Sequence, residues 1–117
     1  MRTEIEDRLV DFSSRIISMY KHFDNSAVSI DLADQLIRSA TGAVMNYGEA
    51  IGAESRNFTH KIGIVLKELR ETHINLKIIH QSKIYHGSQE RIFHNLDECC
   101  QLISIFHKTA LTLKQKR

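Results

Sequence analysis

The chain has 117 residues, 42% hydrophobic and 26% charged, with no proline and no tryptophan, which is the arithmetic of one soluble globular domain and excludes both two separate cores and disorder. Lys and Arg number 16 against 14 Asp and Glu, so the near-neutral total does not by itself demand a nucleic-acid partner. Average usage would place proline at about 5% of residues, and its absence favours long uninterrupted helices over turn-rich β structure. With no charged-then-apolar leader and no run near the roughly 18 apolar residues that cross a bilayer, no membrane partner is expected and the chain reads as cytoplasmic.

Four segments carry apolar residues at alternating steps of four and three, the spacing of helices packed in a bundle. Ile5, Leu9, Phe12, Ile16, Met19 and Phe23 predict a first helix over about 3–23. After the polar break at Asp24, Asn25 and Ser26, the stripe Ala33, Ile37, Ala40, Val44, Tyr47 and Ile51 predicts a second over 30–51. Ser29 is its expected N-cap and Asp31 suits its first turn. Gly52 is placed to end that helix and Ser55 to cap a third over 55–82, whose stripe runs from Phe58 through Ile62, Val65, Leu69, Thr72 and Leu76 to Ile79. Gly87 and Ser88 read as a stop and a start, and Ile92, Leu96, Cys99, Ile103, Phe106, Ala110 and Leu113 predict the fourth helix over 88–113, with the last residues frayed. Short connections make neighbours antiparallel, so the predicted fold is all-α: residues 1–117 as a single up-down-up-down four-helix bundle.

The faces turned away from the core carry two further patterns. On helix two, Gln35, Ser39, Gly42, Asn46 and Glu49 repeat at steps of four and three with Arg38 beside them. Gly in mid-helix costs about 1 kcal/mol relative to Ala and is retained where another backbone comes close. This stripe, with the apolar Ile17, Leu102 and Ile105 left over on helices one and four, is the expected interface of a homo-oligomer. Asn46 and Glu49 are expected to be structural polar groups, with Arg38 of a neighbouring copy one candidate partner. On helix three, Arg56, His60, Lys67, Arg70 and Lys77 fall in one sector about 100° wide opposite the core. They read as phosphate contacts, continued by Lys114, Lys116 and Arg117, or as a solvated face with a Lys67–Glu71 pair. Residues 1–50 hold 5 basic and 8 acidic side chains and residues 51–117 hold 11 and 6, so positive charge is concentrated in the second half.

Enzyme chemistry finds no foothold. Glu90, His94 and Glu98 are spaced for one helix face, but ferritin-like centres use inward Glu-x-x-His motifs that do not occur here, so no metal or other cofactor is expected. His73 and His80 lie seven apart on one flank. Cys99 and Cys100 are neighbours pointing about 100° apart and read as free thiols.

The stretch from Leu32 through Arg38, Ser39 and Asn46-Tyr47-Gly48-Glu49-Ala50, then Ala53-Glu54-Ser55, Phe58, Lys61 and Leu66 to Thr72, resembles the bacterial four helix bundle protein family found as reading frames in intervening sequences of 23S ribosomal RNA. The region around Glu98, Leu102, Ile105 and Lys108-Thr109 is similar as well. The resemblance implies an antiparallel four-helix bundle assembled as a ring-shaped homopentamer. Related accessory proteins of diversity-generating retroelements bind nucleic acid and a reverse transcriptase, so the partners the resemblance implies for this chain are RNA or DNA and a reverse transcriptase or other protein. Its signature polar positions fall on Gln35, Arg38, Ser39, Asn46, Glu49, Ser55, Lys61 and Glu68, and it transfers no catalytic residue. Two positions depart from it: Gly42, where Ser is common, and Asn75, where Trp is frequent. The leading expectation is a non-enzymatic, homo-oligomeric accessory protein for structured RNA. The alternative is a structural ring with a protein partner.

Overall fold

The computed structural model describes residues 2–116. Helix α1 spans Arg2–Met19 and tightens into a 3₁₀ turn at Tyr20–His22; α2 spans Ala27–Ile51, α3 Ser55–Ser82 and α4 Gln89–Gln115. No strand occurs among the described residues. Each helix packs in reverse direction beside the next. Lys61 near the start of α3 meets Glu49 near the end of α2, while Thr72 meets Ser39. On the far side of α3, His73 meets Cys100 and His80 meets Phe93 of α4. Helix α4 returns to α1 through a forked pair in which Arg8 Nη2 and Nε donate to Glu98 Oε1 and Oε2 at 2.8 and 3.2 Å. No described helix is long and apolar enough to cross a membrane.

The core is drawn from all four helices, with Phe12, Leu36, Leu69 and Leu102 among its almost fully buried members. Tyr47 and Phe106 meet edge to face across it at 5.5 Å. The stripes predicted on α1 and α3 point inward throughout their central turns. On α2 the buried line is rotated by a fraction of a turn: Leu36, Ala43 and Ala50 are buried, while Ile37, Val44 and Ile51 lie half-buried at its edge. Turning small side chains inward lets α2 approach its neighbours closely. Leu102, expected as a spare surface residue, is fully buried, whereas Ile17 is 49% exposed.

Helix ends depart from expectation where side chains compete for backbone donors. Asp24 Oδ1 accepts from Ser26 N at 3.0 Å, and Ser26 Oγ accepts from Ser29 N at 3.1 Å. The cap is therefore Ser26, α2 starts at Ala27, and Ser29 is buried inside the first turn. Hydrogen bonds from the side chains of Ser26 and then Ser29, followed by that from the Ser26 N–H, hold the Asp24 carboxyl down to about 2. Glu54 occupies the N-cap position of α3, with Ser55 already helical. The stop of α3 is not Gly87 but Lys83, held left-handed at φ 58°, a conformation that costs a non-glycine residue roughly 1–2 kcal/mol. Gly87 instead leaves room for the Tyr85 ring. Helix α4 continues to Gln115 because Leu113 packs against the core, so the expected fraying is absent over those residues.

The α3–α4 loop is pinned to the end of α1. Phe23 and Tyr85 form an isolated antiparallel bridge, their rings 5.5 Å apart, and His86 N donates to His22 O at 2.8 Å. Between α1 and α4 the Arg8–Glu98 fork is the strongest polar tie, with Glu98 only 15% exposed. Arg8→Ala is expected to lower the unfolding free energy by about 1–2 kcal/mol, as charged hydrogen bonds of this kind do. Arg8→Lys recovers little of it because an ammonium cannot fork. Urea denaturation of the three proteins measures both effects.

Candidate functional site

The outer face of α3 carries all five predicted basic residues. Arg56, His60, Lys67, Arg70 and Lys77 are each exposed. Lys67 Nζ lies 3.7 Å from Glu71 Oε1, a pair of the weak surface kind. The fold adds a residue that sequence spacing alone cannot bring near. Lys114 of α4 comes to Arg70, and the two line a groove of about 170 Å³ with Leu66, His107, Ala110 and Leu111. Lys116 is exposed at the end of α4, and Arg117 lies outside the described residues. Ile74 and Ile78, 57% and 43% exposed, interrupt the charge on the same face.

At its far end the stripe runs into a larger opening. Where α3 stops and α4 begins, Lys77, His80 and Lys83 share a cleft of about 810 Å³ with Tyr85, His86 and Leu96. The cleft was not legible in the sequence, because Lys83, Tyr85 and His86 of its lining come from a loop that reads only as a connection.

The polar stripe of α2 has a different fate from the one expected. It faces α3 of the same chain. Thr72 donates to Ser39 Oγ at 2.8 Å, Ser39 in turn donates to Leu36 O, and Ser39 is 4% exposed. Glu68 lays its carboxylate over Gly42, so the close approach that a mid-helix glycine announces is made by α3 of the same chain and not by a neighbouring copy's backbone. Asn46 donates to Gly42 O, and Glu49 pairs with Lys61 at 2.6 Å where Arg38 of a neighbour was a candidate. Gln35 donates to Asp31 at 2.8 Å, and Arg38 is exposed. Together with Ser39, Glu68, Glu71 and Asn75, Gln35 and Arg38 line a recess of about 180 Å³.

Glu68 is the electrostatic outlier of that recess. Burial first, and then the charge of Glu71, raise its pKa above the ordinary carboxylate value. The adjacent cysteines diverge as expected. Cys99 is buried, donates to Leu69 O, and has its pKa pushed up to about 12 by burial. Cys100 is exposed with its sulfur 3.2 Å from His73 Nε2. Burial and then Lys77 make His73 a weaker base than a free imidazole. Glu90, His94 and Glu98 do not act together, since Glu98 is held by Arg8. Among the described residues no three His, Cys, Asp or Glu side chains converge to hold a metal ion.

No family model and no curated protein matches the chain. Among solved structures it is similar to a protein of unknown function from the S23 ribosomal protein family of Bacteroides thetaiotaomicron VPI-5482. The two are 25% identical, the match covers 91% of this chain and 97% of that one, and the TM-score is 0.79. That likeness spans all four helices and gives the architecture independent support.

Because the folded pKa of Glu68 is raised, the folded state holds its proton more tightly than the unfolded chain. The associated stability is present below the unfolded carboxylate value near 4.3 and is lost as pH rises through the folded one. Glu68→Gln is therefore expected to stabilise the protein at pH 7 and to have no such effect near pH 3.5. Thermal unfolding of both proteins at the two pH values measures it.

Proposed function

We propose that the chain is a non-enzymatic, self-associating helical-bundle protein of the ribosomal intervening-sequence family it resembles, and that it binds structured RNA as an accessory protein. The observation that carries this reading is the outer face of α3, where Arg56, His60, Lys67, Arg70 and Lys77 all stand exposed. At 1.5 Å per residue the face displays positive charge over roughly 30 Å. Lys114 widens it at the Arg70 groove. Phosphate binding requires no more than accessible Lys and Arg on one surface. The membership of the similar solved structure in a ribosomal protein family supports RNA as the polyanion.

In this reading self-association uses another surface, because Ser39 and Gly42 of the α2 stripe are covered by α3 of the same chain. Val10 and Ile17 of α1 and Tyr20 of the 3₁₀ turn that follows it are 46%, 49% and 44% exposed. Spaced by seven and then three residues, they form a second apolar seam of the kind helices bury against partners. A ring-shaped homopentamer, as the resemblance implies, would multiply the α3 face and make individually weak contacts effective.

A protein partner is the second reading, favoured by Ile74 and Ile78 within the basic face. A salt series separates the two: RNA retention should fall steeply with rising salt as counterions are released, whereas apolar docking should not. Replacing Lys67, Arg70 and Lys77 together by Glu is expected to abolish retention without dissociating the oligomer. Failure of the unaltered protein to retard structured RNA at low salt overturns the RNA reading. Sedimentation at tens of micromolar should show an oligomer that Ile17→Glu converts to monomer, and a monomeric unaltered protein overturns the assembly.

A further inference from the structure

The cleft at the turn between α3 and α4 encloses about 810 Å³, within the range of pockets that hold small organic ligands. Its walls combine two chemistries. Lys77, His80, Lys83 and His86 supply cations or imidazoles, and no carboxylate lines it. Asp24 Oδ2 lies 3.7 Å from His86 Nε2 at the loop's edge. Tyr85 and Leu96 form apolar wall, and the amides of Gln81 and Gln89 can both donate and accept. Beside the cleft, Phe93 packs edge-on against His80 at 4.9 Å yet remains 53% exposed, an open aromatic face next to positive charge.

Two details point to a ligand. Lys83 keeps a left-handed backbone at the helix stop, where glycine would sit without strain. Non-glycine strain of this sort concentrates at ligand-binding positions, and here it is tolerated in a cation of the cleft. The Tyr85 hydroxyl, in a side chain 3% exposed, has no hydrogen-bond partner, although buried hydroxyls nearly always find one.

Flat aromatic surface, amides and a cluster of cations are together the complement of a nucleoside phosphate. We infer that this cleft takes one unpaired nucleotide, its base stacked on Phe93 beside His80 and its phosphate held by Lys77 and Lys83. The inference rests on the RNA reading for the source of that nucleotide, an unpaired strand end beside a duplex lying along α3. A free mononucleotide carries the same chemistry, and the two sources are distinguishable.

The test compares a blunt RNA hairpin with the same hairpin extended by four unpaired nucleotides, by fluorescence anisotropy, alongside an NMR titration with AMP. The extended hairpin is expected to bind about tenfold tighter, the scale of one base stacked on an aromatic side chain. Phe93→Ala and Lys83→Gly should each remove most of that preference and leave blunt-hairpin binding unchanged. Both proteins should fold, since Phe93 is exposed and glycine relieves the backbone at 83; circular dichroism checks this. Equal affinity for the two hairpins, or a preference that survives both substitutions, overturns the RNA-end assignment. If neither hairpin binds, the RNA reading has failed separately. In that case AMP shifts confined to residues around the cleft support a free-nucleotide site, and their absence overturns the inference.

Discussion

The close approach of α2 to α3 is the constraint on which the other arrangements rest. Of the buried residues of α2, Ser29, Ala33, Ser39, Ala40, Ala43 and Ala50 are small, so the distance between helices is set by backbone and Cβ atoms more than by branched side chains. Larger residues from the other helices then fill the volume on the far side, with Phe12 and Phe106 nearly fully buried. Packed this way, α3 has its polar flank claimed by α2, through Ser39–Thr72 and Glu49–Lys61, and its thiol-facing flank claimed by α4. The remaining sector is the basic one. The exposure of Arg56, Lys67, Arg70 and Lys77 therefore follows from the seam and needs no separate cause.

Helix number, order and most of the core were legible in the sequence because a period of three and four survives averaging over 20 or more residues. Local chemistry was less so. Ser26 and Ser29 are both competent caps, and Asp24 decided between them by taking the Ser26 N–H. Gly87 looked like a helix stop, yet the stop fell on Lys83, a residue whose side chain carries no signal of positive φ. Periodicity located the polar stripe of α2 but could not say what it faces, since the same pattern fits a partner helix of another copy or of the same chain. The meeting of Arg70 with Lys114, and of His73 with Cys100, depends on the antiparallel register of α3 and α4, which no local pattern encodes.

The two departures from the family pattern acquire a shared physical meaning. Gly42 and Asn75 both lie beside Glu68: one has the carboxylate laid over it, and the other lines the same recess. A hydroxymethyl at 42 would crowd that carboxylate, and an indole at 75 would fill space now left to polar groups. Of the signature positions that the resemblance marks, Ser39, Glu49, Lys61 and Glu68 lie at the meeting of α2 and α3, whereas Gln35 and Asn46 bond within α2 and Arg38 is exposed.

Rigidity is distributed unevenly, and that bears on where recognition can occur. At the α2–α3 turn only three residues, 52–54, separate the helices. The α3–α4 connection is longer and would be free to move, but the Phe23–Tyr85 bridge and the His86 to His22 hydrogen bond fasten it to the end of α1. A fastened loop can hold an open cleft beside it, because the ordering of its backbone is completed on folding and does not have to be met again on binding. The outer face of α3, by contrast, offers long side chains whose rotamer freedom is lost only on contact. In the proposed reading, a diffuse charged face next to a preformed cleft would divide two tasks that a flat helical surface has to combine: attraction over a distance, and discrimination at close range.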